Sequence, residues 1–115
     1  MKPVLFQQKQ HGLGNTINVT ATIQMLYEHL NEPIDFYFET EWIYDVFKDW
    51  ECINASMVSA SNLSSINFDT AEPTRHGNTK YPDWLFLMNL AYDRFLKGKD
   101  IDFRKYKTYI PVSPL

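Results

Sequence analysis

Three short stretches of the chain gather residue types that can do chemistry. The first is His11-Gly12-Leu13-Gly14-Asn15-Thr16. An imidazole can polarise or protonate a substrate oxygen, because its ordinary pKa lies near neutrality. Glycines at 12 and 14 allow positive φ and let a backbone approach a ligand with no Cβ in the way. The second stretch is Glu39-Thr40, where a carboxylate following an apolar run can accept hydrogen bonds from a ribose or sugar hydroxyl. The third is Arg75-His76-Gly77 with Lys80. A guanidinium offers a bidentate fork and an ammonium a point charge to a phosphate or sugar carboxylate, while His76 can also transfer a proton. A purely structural role competes at each place: a tight turn at the glycines, a solvated histidine at 11, a helix-terminal acid at 39 beside a Thr40 cap, and a solvated loop around 75–80.

The elements that must position these groups can be read from periodicity. Val4 to Gln8 is a strand, with Pro3 at its start where a missing N–H does no harm. Val19, Ile23, Leu26 and Leu30 then recur at helical spacing, with Asn15 or Thr16 as cap and Asn31-Glu32-Pro33 as the stop. A strand that turns directly into a helix leaves the first backbone N–H groups of the helix unpaired, where they and the dipole favour an anion such as a phosphate. The third glycine of the dinucleotide fingerprint is absent, Ile17 standing in its place. Ile34 to Phe38 reads as a second strand with Ile34, Phe36 and Phe38 on one face, completing a right-handed βαβ unit that sets Glu39 at a carboxyl end. Glu39 follows Gly14 by about 25 residues, against the interval of about 20 usual for a ribose-binding acid.

Further along, Glu41 to Asp49 predicts a short helix with Trp50 packed behind it. Cys52-Ile53 and Met57-Val58 are pieces of a third strand, and Asn62 to Phe68 alternates imperfectly. Asp69 to Pro82 is a loop by composition. Asp83 caps a helix over Trp84–Lys97, and a last strand is expected at about Lys107 to Ile110 before the closing prolines. The fold class predicted is α/β: one domain with a small, mainly parallel sheet of about four strands, Rossmann-like and three-layered, with helices on both faces.

Composition narrows the function classes. A chain of 115 residues that is 44% hydrophobic and 22% charged suits one globular domain with a real core. A net charge of −3 gives no electrostatic footprint for nucleic acid. No apolar run reaches membrane-spanning length and the N-terminus shows no basic-then-apolar leader, so the expected address is cytoplasmic. Cys52 is the single cysteine, which excludes an intramolecular disulfide and a cysteine-rich metal site. No His/Cys/Asp cluster stands at metal-ligand spacing, and no metal or other cofactor is expected. The aromatic fraction of 16% is high enough for some rings to serve a ligand or partner surface, including a second copy of the chain.

Gly12-Leu13-Gly14-Asn15 followed by Thr20-Ala21-Thr22-Ile23-Gln24-Met25-Leu26 resembles the opening of glycosyltransferase family 9, the heptosyltransferase-like enzymes of GT-B fold. These begin with a strand, a Gly-x-Gly-Asp loop and a helix bearing Thr-x-x-Ile-x-x-Leu. The resemblance covers about the first half of the chain and implies the N-terminal, acceptor-side domain of a glycosyltransferase, half of a GT-B architecture. A nucleotide-sugar donor would be bound elsewhere, chiefly by a second domain. The ligand of this half would be a sugar or sugar phosphate contacting Gly12, Leu13, Gly14, Asn15, Thr16, Glu39 and Arg75. The family's catalytic aspartate falls on Asn15, whose amide has no useful basicity near neutral pH. Candidates for proton transfer are then His11 and His76, with Asn15 at the family's catalytic position. Gly-Leu-Gly-Asn is also similar to the loop of fucosyltransferases with a related α/β fold. The rival expectation is a non-catalytic binding or interaction module of the same fold, and a weaker one a nucleotide-binding domain unrelated to sugar transfer.

Overall fold

In the computed structural model of the chain, residues 1–111 are described. The sheet has four strands: β1 (Val4–Gln7), β2 (Ile34–Phe38), β3 (Ile53–Met57) and β4 (Phe68–Asp69). All pairings are parallel and the spatial order is β3-β2-β1-β4. The fold is therefore α/β and consistent with a small Rossmann-like three-layer arrangement, as the strand–helix–strand spacing predicts. Four helices join it: α1 (Leu13–Leu30), α2 (Glu41–Phe47), α3 (Glu72–Arg75) and α4 (Asp83–Ala91).

Period-two patterning decides which side of the sheet is dry. Register sets Leu5 beside Phe36 and Phe68, Gln7 beside Phe38, and Ile34 beside Ile53, so these side chains share one face. All are buried, and apart from Gln7 they form one cluster with Val19, Ile23 and Leu26 of α1, Ile43 and Phe47 of α2, and Leu87, Met88 and Ala91 of α4. Burying a phenylalanine such as Phe36 fully contributes about 1.5–3 kcal/mol, which is why three threonines in α1 do not prevent it from forming. The alternate residues Val4, Phe6, Asp35 and Tyr37 are only half-buried, so the second face is thinly covered.

α1 is enclosed on its far side as well. The C-terminal segment runs across it as a strap: the Tyr109 N–H donates to Thr20 Oγ1 at 3.0 Å, Gln24 Nε2 to the Lys107 carbonyl at 2.6 Å, and the Tyr106 hydroxyl to Glu28 at 2.9 Å. This corrects the expectation of a strand at Lys107 to Ile110. The strap spends its hydrogen bonds on helix side chains, and the fourth strand is Phe68–Asp69, a two-residue segment too short for alternation to reveal. Trp50 packs on Phe47 at 6.3 Å as expected, with Tyr109 edge-on at 5.6 Å.

Three local expectations shift. Helix α1 starts at Leu13 with Gly12 as N-cap and no side-chain cap, so neither Asn15 nor Thr16 caps it. Helix α4 begins at Asp83 with Pro82 before it, and after Ala91 the turn widens into a π-helix over Tyr92–Leu96. The stretch 69–82 is not all loop, because it holds the end of β4 and the single turn α3. Val112 to Leu115, including the closing Pro114, lie outside the described residues.

Candidate functional site

Strand order reverses between β1 and β4: the chain moves outward from β1 to β2 and β3 on one side, and β4 lies on the other. In open α/β sheets this reversal opens a crevice at the carboxyl ends of the two strands, because the connections leave in opposite directions. The β1–α1 loop forms one wall of that crevice and the β4–α3 turn the other. Gln8 Nε2 bridges them, donating to Asp69 Oδ2 at 3.2 Å.

The glycine loop joins strand to helix as its sequence predicts, but the glycines act differently from the expectation. Gly12 has φ −78°, Gly14 lies inside the first helical turn, and the glycines at positive φ are Gly77 and Gly98. A Cβ on Gly12 or Gly14 would meet nothing within 4 Å. Both are exposed, so the chain leaves open space above them rather than using them to make a turn. Leu13 is half-buried against the core, and Thr16 is fully buried with its hydroxyl donating back to the Gly12 carbonyl at 3.1 Å. With no acid in the first turn and no side-chain cap, the N-terminal N–H groups of α1 face that space.

Gln7 organises the loops around this opening. Its side chain is completely buried. The amide Nε2 donates to the His11 carbonyl at 2.9 Å and reaches Thr40 Oγ1 at 3.2 Å, while Oε1 accepts the Thr40 N–H at 3.0 Å and the Glu39 N–H at 3.2 Å. Thr40 occupies the N-cap position of α2 without a side-chain capping bond. Glu39 stands at the carboxyl end of β2, and its Oε1 accepts the Lys9 N–H at 2.6 Å. The His11 ring receives Asn15 Nδ2 at 2.7 Å from Nδ1, a partner that the loop's sequence does not announce.

On the β4 side, Arg75 turns inward. Its Nη2 meets Asp69 Oδ2 at 2.7 Å and its Nη1 meets Glu72 Oε1. The hydrogen bond to Asp69 is the main cause that raises the already high pKa of the guanidinium. Arg75 is thus committed to two protein carboxylates rather than held open for a phosphate. Glu72 is 2% exposed, and its Oε2 has Arg94 Nη1 at 2.6 Å and His76 Nε2 at 3.8 Å. The Arg94 contact is ionic and off the hydrogen-bond line, which leaves Oε2 without a formal hydrogen-bond partner among the described residues. His76 is exposed beside Phe86, ring centroids 5.7 Å apart. Lys80 lies outside on the exposed loop.

The structure therefore gathers His11, Gly12, Gly14, Asn15 and Glu39 around the loop after β1 and ties that loop through Gln8 to Asp69, the partner of Arg75, whereas His76 stands against Phe86 of α4. Sequence reading missed Gln7, Asp69, Glu72 and Arg94. Gln7 had a visible signal, a polar residue at the inward parity of a strand. Arg94 had none, because the π-helical turn re-aims it and α-helical spacing does not foresee that.

Two roomier grooves, about 580 and 530 Å³, flank the strap near Tyr106 and hold none of the glycine-loop residues. Cys52 lines the first; it is buried, and desolvation pushes its thiol up to about 11, which suits a packing role. Among the described residues no helix is long and apolar enough to cross a membrane, and no group of three or more His, Cys, Asp or Glu is arranged to hold a metal ion. Comparison with family models, curated proteins and solved structures finds no match for the chain.

Proposed function

We propose that the chain is a glycosyltransferase-like, acceptor-side domain that binds a sugar or sugar phosphate in the crevice between β1 and β4. The observation that carries this reading is the strand order β3-β2-β1-β4, which sets the uncapped N-terminus of α1 and the open space over Gly12 and Gly14 at the reversal of the sheet. Its chemistry suits oxygen-rich ligands, with backbone N–H groups, the His11 ring and the Asn15 amide gathered at the loop after β1. The resemblance of Gly12-Leu13-Gly14-Asn15 and the following Thr-Ile-Leu helix to glycosyltransferase family 9 supports the sugar class. The test is titration of isotope-labelled protein with glucose 1-phosphate, nucleotide sugars and free hexoses. Amide shifts gathered at residues 11–16 and 69–76 at millimolar ligand are expected; shifts confined to the strap grooves, or none, would overturn the reading.

A second reading, a non-catalytic binding or interaction module, is favoured by Asn15. An amide engaged with a neighbouring ring stands where the resemblance puts a carboxylate base. Retained sugar-phosphate binding with no transfer from nucleotide sugars to any tested acceptor would select this reading. A dimer seen by light scattering would make the chain its own partner.

A further inference from the structure

We infer that Asn15 is a positioning residue that locks His11 in the tautomer carrying its proton on Nε2, so that the ring offers a hydrogen-bond donor, not a base, to an oxygen of the ligand. The inference deepens the sugar-binding reading and borrows from it only the nature of the ligand.

The backbone of His11 is held by two hydrogen bonds. Its N–H donates to the Gln8 carbonyl at 3.0 Å, and its own carbonyl accepts from the buried Gln7 amide at 2.9 Å. The backbone beneath the ring is thus held on both sides. The ring is then fixed by Asn15, four residues on and one turn into α1, whose Nδ2 lies 2.7 Å from Nδ1. An amide NH₂ can only donate. With the amide in this orientation Nδ1 presents its lone pair, and in a neutral imidazole the proton then sits on Nε2. No described residue accepts from Nε2. Asn15 has no other side-chain partner among the described residues, so nothing competes for its Nδ2.

A proton-accepting His11 would need the reverse arrangement, with Nδ1–H donating to an acceptor at position 15. Aspartate would supply that acceptor and asparagine in the observed orientation does not. The identity of residue 15 thus selects between donor and base chemistry at His11 while leaving the ring in place.

Long-range proton–nitrogen correlation spectra of His11 test this at about pH 8, above the ordinary range of imidazole. The Nε2–H pattern is expected in the wild type. Asn15→Asp should convert it to Nδ1–H, and Asn15→Ala should give a fast mixture, each with the rest of the amide spectrum preserved. An Nδ1–H pattern in the wild type, or an unchanged Nε2–H pattern in both variants, would overturn the inference. Titration with glucose 1-phosphate adds a second readout. Asn15→Asp should weaken binding at least about tenfold, which corresponds to about 1.4 kcal/mol, and unchanged affinity would overturn the donor role. If the wild type binds no sugar phosphate, the functional proposal fails while the tautomer result stands or falls by the spectra alone.

Discussion

Arg94 lies with its guanidinium Nη1 2.6 Å from the buried Glu72 carboxylate, bringing the π-helical turn after α4 into contact with the turn that follows β4. The same nitrogen donates to the Asn67 carbonyl at 3.0 Å, and the guanidinium stands 5.6 Å from the centre of the Phe68 ring. One cation thus serves an acid, a backbone oxygen and an aromatic face at the edge strand. Arg75 shares the acid but is more exposed than Arg94, 49% against 30% at the side chain.

Removing one partner of a buried ion pair strands the other, a loss of about 3–5 kcal/mol when both are buried and less as exposure grows. Arg94→Leu is expected to lower stability by about 2–3 kcal/mol, and Arg75→Leu by about 1 kcal/mol. Urea unfolding measures both; equal losses would mean that Glu72 does not discriminate between the two cations.

Gln7→Leu keeps the volume of a buried side chain but takes the acceptor from the Thr40 N–H, while the Glu39 N–H keeps its bond to the backbone carbonyl of residue 7 at 3.1 Å. A stranded donor costs about 1–3 kcal/mol, so a loss of about 2 kcal/mol is expected. Hydrogen exchange should accelerate at Thr40 and at the His11 loop, while α4 exchanges no faster than the global loss requires.

Gly14 has helical backbone and open space where a Cβ would go. Gly14→Ala should therefore raise stability by about 0.5–1 kcal/mol. Gly98 has φ +95°, so Gly98→Ala should lower it by about 1–2 kcal/mol. Thermal unfolding compares the pair. If Gly14→Ala stabilises the fold yet weakens sugar-phosphate binding, the space at position 14 belongs to the ligand.

Desolvation, then the hydrogen bond to Glu28, pushes the Tyr106 hydroxyl from 10.0 up to about 12, and desolvation pushes the Cys52 thiol from 9.0 up to about 11. Both folded-state values lie above the unfolded ones. Their contribution is present in full below about pH 9 and is lost as pH rises through 11 and 12. Glu28 runs the other way: hydrogen bonds from Lys105 and Tyr106 lower it from 4.5, so its contribution disappears in acid. Urea midpoints should fall from pH 9 upward, and Tyr106→Phe with Cys52→Ala should flatten that decline. A midpoint constant to pH 11 in the wild type would contradict this.

The first βαβ unit was legible because Leu5, Ile34, Phe36 and Phe38 alternate, while Val19, Ile23 and Leu26 recur at helical spacing, and each pattern is buried as a set. The third strand surfaced only as fragments, since β3 is an edge strand with Asn54, Ser56 and Met57 exposed. The fourth was invisible because two residues cannot display a period. At the candidate site, the glycine loop and Glu39 could be placed from spacing alone. The inward turn of Arg75 could not, because it depends on Asp69 and Glu72, whose burial is decided by the sheet edge and by Arg94.

A single carboxamide, that of Gln7, tethers the turns that follow β1 and β2. Hydrogen bonds run from His11 through Gln7 to Thr40, and the Lys9–Glu39 contact links the same two turns a second time. This rim of the crevice is a closed ring of hydrogen bonds.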